Sequence, residues 1–103
     1  MSWHEATVRV VNEHGLHARP ATRFTELANS FEAEIQVAKD DTVVDGKSVL
    51  AMLTLNVPCG TELRIRARGA DAARAVRELV KLVASGFPGA YDKPDEKPSG
   101  QCK

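Results

Sequence analysis

The run Gly15-Leu16-His17-Ala18-Arg19-Pro20-Ala21 sets a histidine and an arginine two positions apart at the start of a helical pattern. With His17 as the N-cap, its imidazole lies beside the backbone amides of Ala18, Arg19 and Ala21. Those amides and the positive end of the helix dipole make an anion site that needs no dedicated pocket. The Arg19 guanidinium adds a permanently charged phosphate ligand. Gly15 lets the chain turn sharply just before the histidine and leaves the ring uncovered. A neutral imidazole, with an ordinary pKa of about 6.5, is a competent nucleophile near neutral pH. The same positive surroundings discourage its protonation and stabilise a phosphorylated ring. The chemistry these residues suit is acceptance and onward transfer of a phosphoryl group, a reaction governed mainly by position and charge.

The residues alone leave other readings of His17 open. A histidine at a helix start is commonly a cap or a surface residue. A metal site built from His14 and His17 lacks a cysteine or third ligand at suitable spacing. Hydrolase-type nucleophilic catalysis has no glycine-flanked serine to support it. Ser48 is the other residue with chemical potential, and it first reads as a good N-cap for Val49-Leu50-Ala51-Met52-Leu53.

Several elements must hold these residues in place. Thr7–Val11 reads as a strand, and Asn12-Glu13-His14-Gly15 breaks it. From Ala18 to about Asn29, Ala21, Phe24, Leu27, Ala28 and Phe31 recur at helical steps, and Pro20 fits only in the first turn. Glu34–Lys39 and Thr42–Asp45 read as strands joined at Asp40-Asp41. A short helix follows Ser48, and Pro58-Cys59-Gly60 is a loop. Glu62–Arg68 alternates strictly, placing Leu63, Ile65 and Ala67 against helices and Glu62, Arg64, Arg66 and Arg68 in water. Asp71 is placed to cap a last helix buried through Ala72, Val76, Leu79, Val80 and Val83, and Gly86 to end it as a left-handed cap. The order is strand, helix, strand, strand, helix, strand, helix. It predicts an α+β fold with a four-stranded, mainly antiparallel sheet and three helices on one face.

At 103 residues the chain suits one domain with one core. Lys+Arg and Asp+Glu balance at 14 each, which argues against general attraction to nucleic acid or anionic lipid. No apolar run is long enough to span a bilayer, and the start of the chain lacks the features of a secretory signal. The cytoplasm is the expected location. Cys59 and Cys102, far apart in sequence, read as unpaired thiols. Residues 88–103 are mostly polar, carry three of the five prolines, and read as a disordered C-terminal tail after a domain of residues 1–87.

The segment from Gly15 to Ala21 resembles the active-site signature of the HPr family, the histidine-containing phosphocarriers of the bacterial phosphoenolpyruvate-dependent phosphotransferase system. Asp45-Gly46-Lys47-Ser48-Val49-Leu50-Ala51-Met52-Leu53-Thr54-Leu55 resembles the same family's regulatory-serine segment, and the likeness extends over about residues 5–87. It implies an open-faced β-sandwich of βαββαβα topology. It also implies that His17 takes a phosphoryl group on Nδ1 from Enzyme I and passes it to an A-component acceptor. Arg19 matches the phosphate-assisting arginine, and Ser48 the serine modified by HPr kinase/phosphorylase in some bacteria. His14 stands where a small polar residue is usual.

A carrier of this kind docks through exposed apolar residues near its histidine. Leu16, Ala18, Val49, Leu50 and Leu53 are the candidates, with Lys47 and Arg19 supplying charge. The expected state is a monomer that is no enzyme in itself, with no cofactor, metal, nucleic-acid or membrane partner. The other function class is a regulatory binding module, with phosphate on His17 or Ser48 as its switch.

Overall fold

Alternating side chains put strand Glu62–Arg68 inside a sheet with one face covered, and the computed structural model, which describes residues 2–11 and 15–87, places it there. The elements are β1 (His4–Arg9), α1 (Ala18–Asn29), β2 (Glu34–Lys39), β3 (Thr42–Asp45), α2 (Val49–Thr54), β4 (Glu62–Arg68) and α3 (Ala72–Ala84). The sheet order is β1-β4-β2-β3, and all three pairings are antiparallel. Leu63, Ile65 and Ala67 of β4 are buried in one core with Val8 of β1, Ile35 and Val37 of β2, and the inner faces of the helices. Phe24 of α1 and Leu79 of α3 are fully buried there. Among the described residues, no helix is long and apolar enough to cross a membrane.

Four local outcomes differ from the sequence expectation. First, β1 begins at His4 rather than Thr7, because its register with β4 runs from His4↔Ala67 to Arg9↔Glu62. Val10 still bonds across, its amide donating to Thr61 O at 2.9 Å and its carbonyl accepting from Gly60 N at 2.8 Å. Second, α2 runs one residue further, to Thr54.

Third, Asp71 occupies the N-cap position of α3 without a side-chain cap bond. Its carboxylate instead accepts from the amides of Glu32 at 2.9 Å and Ala33 at 2.8 Å, clasping the α1–β2 connection. Sequence spacing identified the cap position but not this distant competitor for the same oxygens. Fourth, the open sheet face is only partly solvated. Arg66 and Arg68 stack on Trp3 at 4.3 and 4.5 Å, Arg68 pairs with Glu34 at 2.7 Å, and Arg64 donates to Asp40 O at 2.7 Å. These arginines are engaged within the protein.

Gly86 ends α3 as expected, at φ +79°. Its amide donates to Val83 O at 3.0 Å and that of Phe87 to Leu82 O at 2.9 Å, the paired bonds of a Schellman motif. The motif turns Phe87 into the core. Expectations for Asn12, Glu13, His14 and residues 88–103 lie outside the described residues.

The amide of Glu32, then that of Ala33 and the nearby Arg74 charge, hold the Asp71 carboxyl below its ordinary value of 3.8, against the opposing effect of burial. A depressed folded-state pKa stabilises the protein above the unfolded value, and the gain is lost as pH falls through the folded value. Wild type is therefore expected to melt higher than Asp71→Asn at neutral pH. The gap should narrow below about pH 4 and close in stronger acid. Thermal melts of both proteins across that range check it.

Candidate functional site

His17 is the N-cap of α1, with extended backbone at φ −116° and no side-chain cap bond. The first intrahelical bond is Ala21 N to His17 O at 2.9 Å. Pro20 has no amide hydrogen, so the N–H groups ahead of that bond are those of Ala18 and Arg19. The expected amide cradle is therefore smaller by one, because the Ala21 amide is used by the helix. Ala18 and Arg19 are both exposed, and Pro20 is packed inward. The imidazole is half-buried, with Nε2 enclosed and making no hydrogen bond.

A backbone crossing holds this helix start in place. Gly15 adopts φ +69°, and Leu16 forms an antiparallel bridge with Val57, its amide donating to Val57 O at 2.8 Å. A Cβ at Gly15 would lie 2.8 Å from Pro58 Cα and closer still to Val57 O. Only glycine satisfies both the positive φ and the close approach. The crossing also settles the role of Leu16. Its side chain is 7% exposed, in the core, so it leaves the set of candidate docking residues.

Ser48 caps α2, its hydroxyl accepting from Ala51 N at 3.2 Å. Helix α2 buries Met52 completely, half-buries Val49, and turns Leu50 (78% exposed) and Leu53 (38% exposed) outward. A six-residue helix cannot bury every apolar side chain, and these two remain exposed. Lys47 is not a projecting charge. It is half-buried, and its Nζ donates to Phe31 O at 2.7 Å, so it too leaves the docking set. Sequence reading missed this partner because the lysine meets a backbone carbonyl sixteen residues away.

Sequence reading also missed the parts played by Val57 and Pro58, which had no signal beyond a loop-forming proline. Cys59, expected as an unpaired thiol, is disulfide-bonded, whereas Cys102 lies outside the described residues. Among the described residues no cluster of three or more His, Cys, Asp and Glu side chains is arranged to hold a metal.

The site thus sits on a four-stranded open sheet backed by helices, with a histidine at one helix N-terminus and a capping serine at another. Residues 4–85 match the family model described as the PTS HPr component phosphorylation site. The chain is 37% identical over 81 residues to phosphocarrier protein HPr of Neisseria meningitidis, covering 79% of this chain and 91% of that protein. It is 35% identical over 82 residues to phosphocarrier protein NPr of Escherichia coli, covering 79% and 91%. The solved HPr-C-His of Thermoanaerobacter tengcongensis superposes with a TM-score of 0.79 at 38% identity, covering 82% of this chain and 94% of that one.

The chain belongs to the HPr family, and it is a phosphoryl carrier of the phosphotransferase system, not an enzyme.

The Gly15 crossing makes a direct prediction. Gly15→Ala should destabilise the protein by at least about 1–2 kcal/mol, the cost of left-handed backbone for an L-residue, before any clash is added. Urea unfolding monitored by circular dichroism measures it. A stability equal to wild type would mean that the close approach is not a constraint in solution.

Proposed function

We propose that His17 is the residue that carries the phosphoryl group, taking it on Nδ1 from Enzyme I and giving it to an A-component acceptor. The observation that carries this reading is the placement of His17 at the N-terminus of α1, with the Ala18 and Arg19 amides ahead of the first helical bond. Nε2 is enclosed and makes no hydrogen bond, which supports Nδ1 rather than Nε2 as the phosphorylated nitrogen. In the forward step the Nδ1 lone pair attacks phosphorus as the bond to the donor breaks. In the next step the N–P bond breaks toward the acceptor's nucleophile. The helix amides and the Arg19 guanidinium meet the charge on the phosphoryl oxygens throughout. No cofactor enters either step.

Leu50 and Leu53, both exposed, supply the apolar part of the docking surface together with Val49 and Ala18, with Arg19 as its cation. Residues 1–87 form the carrier domain, and the protein works as a cytoplasmic monomer. Ser48 is the regulatory residue, addressed by HPr kinase/phosphorylase. A phosphate on its hydroxyl would stay at a helix N-terminus, where negative charge is tolerated, while adding that charge close to the exposed leucines. Regulation then acts by repelling a partner, not by unfolding α2.

Mixing the protein with Enzyme I and labelled phosphoenolpyruvate tests the central claim. Wild type should take up acid-labile, alkali-stable label, and His17→Ala none. Label retained by that variant would overturn the assignment. Arg19→Ala should fold normally and transfer about 10- to 100-fold more slowly, the effect of losing one or two charge-assisted hydrogen bonds. With HPr kinase and ATP, wild type should gain an acid-stable phosphate that Ser48→Ala lacks.

A further inference from the structure

Lys47, immediately before the α2 cap, is held at three atoms. Its amide donates to Asp45 Oδ1 at 2.9 Å, its carbonyl accepts from Asn29 Nδ2 at 3.1 Å, and its Nζ donates to Phe31 O at 2.7 Å. Asn29 is the last residue of α1, and its Nδ2 also donates to Thr25 O at 2.8 Å. The two amide hydrogens of Asn29 thus bridge the last turn of α1 to the residue preceding Ser48. In return, the Lys47 ammonium reaches the carbonyl of Phe31, just beyond the end of α1. The result is a reciprocal staple between the α1 C-terminus and the α2 N-terminus.

Helix α2 depends on such outside support. Six residues are too few to form a stable helix alone, and Met52 is its only fully buried side chain. At its far end Lys39 Nζ donates to Leu55 O at 3.1 Å and Asn56 O at 2.7 Å. Its axis is therefore set by one buried anchor and a clamp at each end. Helix α1 runs from Ala18, next to its N-cap and proposed phosphoryl carrier His17, to Asn29 in the staple.

We infer that Asn29 and Lys47 are positioning residues for partner docking: the staple fixes the angle between α1 and α2, so that Leu50 and Leu53 meet a partner in register with His17 and Arg19. The inference rests on the reading above that α2 belongs to the docking surface. A surface made from two helices binds well only when both are pre-set, because ordering them on binding costs affinity. Loss of the staple would weaken association while leaving the chemistry at His17 intact.

The test is steady-state phosphoryl transfer from Enzyme I with this protein as the varied substrate. Asn29→Ala and Lys47→Met should each raise KM by about three- to tenfold, with kcat within about twofold, as expected when pre-organisation is lost. Label per His17 should remain stoichiometric. Asn29→Ala removes the bridge without changing charge, and Lys47→Arg, which keeps a donor, should restore KM toward wild type. A lowered melting temperature with unchanged KM in both variants would overturn the inference, since it would leave the staple a purely structural role.

Leu50→Asp, measured alongside, separates this inference from the reading beneath it. If Leu50→Asp leaves KM unchanged, α2 is outside the docking surface and both fail. If Leu50→Asp raises KM while the staple variants do not, the positioning role alone fails.

Discussion

The close approach of Gly15 to Val57 and Pro58 is the constraint on which the site depends. It stacks the β1–α1 connection on the α2–β4 connection, and the Leu16–Val57 bridge secures it with a backbone hydrogen bond. From there the chain has one residue, His17, in which to turn into α1. The histidine is held at the helix N-terminus by backbone on both sides, while its own side chain caps nothing. The imidazole makes no cap bond to its own helix, and the positive end of the helix dipole lies beside it.

A carrier has to present its reactive group to several partners, so its site cannot be a closed pocket. The fold meets this need by distributing the work. The core under the sheet is filled by Phe24, Ile35, Leu63, Ile65 and Leu79, which leaves α2 free to expose leucines that a self-sufficient domain would bury. Polar side chains then hold the short helix where packing does not. Lys39, Lys47 and Asn29 all spend donors on backbone carbonyls at or beside helix ends. Two of these are lysines that would ordinarily be assigned to solvent or to an acidic partner.

Much of this was legible before any coordinates. The period of the apolar residues located β1, α1, β4 and α3, because burying one face imposes a step of two on a strand and of three or four on a helix. The turn between them marked β2 and β3, and its cap and apolar run marked α2. Pro20 marked the start of α1, Ser48 that of α2, and Gly86 the end of α3, since each acts through local backbone geometry. The run from Gly15 to Ala21 and the Ser48 segment pointed to the phosphocarrier family, to which the chain belongs. Less was legible wherever a side chain had a choice of partners. Asp71 looked like a helix cap and became a clasp on a distant connection. Leu16 and Lys47 looked like docking residues and became parts of the framework.

The sequence by itself determined the order and type of the elements, the position of His17 at a helix start, and that of Arg19 two residues further on. These follow from periodicity and from residues that act on their near neighbours, which the order of the chain fully states. Only the tertiary structure decided which amides remain ahead of the first helical bond, which leucines face outward, and how α2 is tied to α1. Those outcomes depend on contacts such as Leu16 with Val57, Asp71 with Ala33, and Lys47 with Phe31. Nothing along the chain specifies such pairs until folding brings their partners within hydrogen-bond reach.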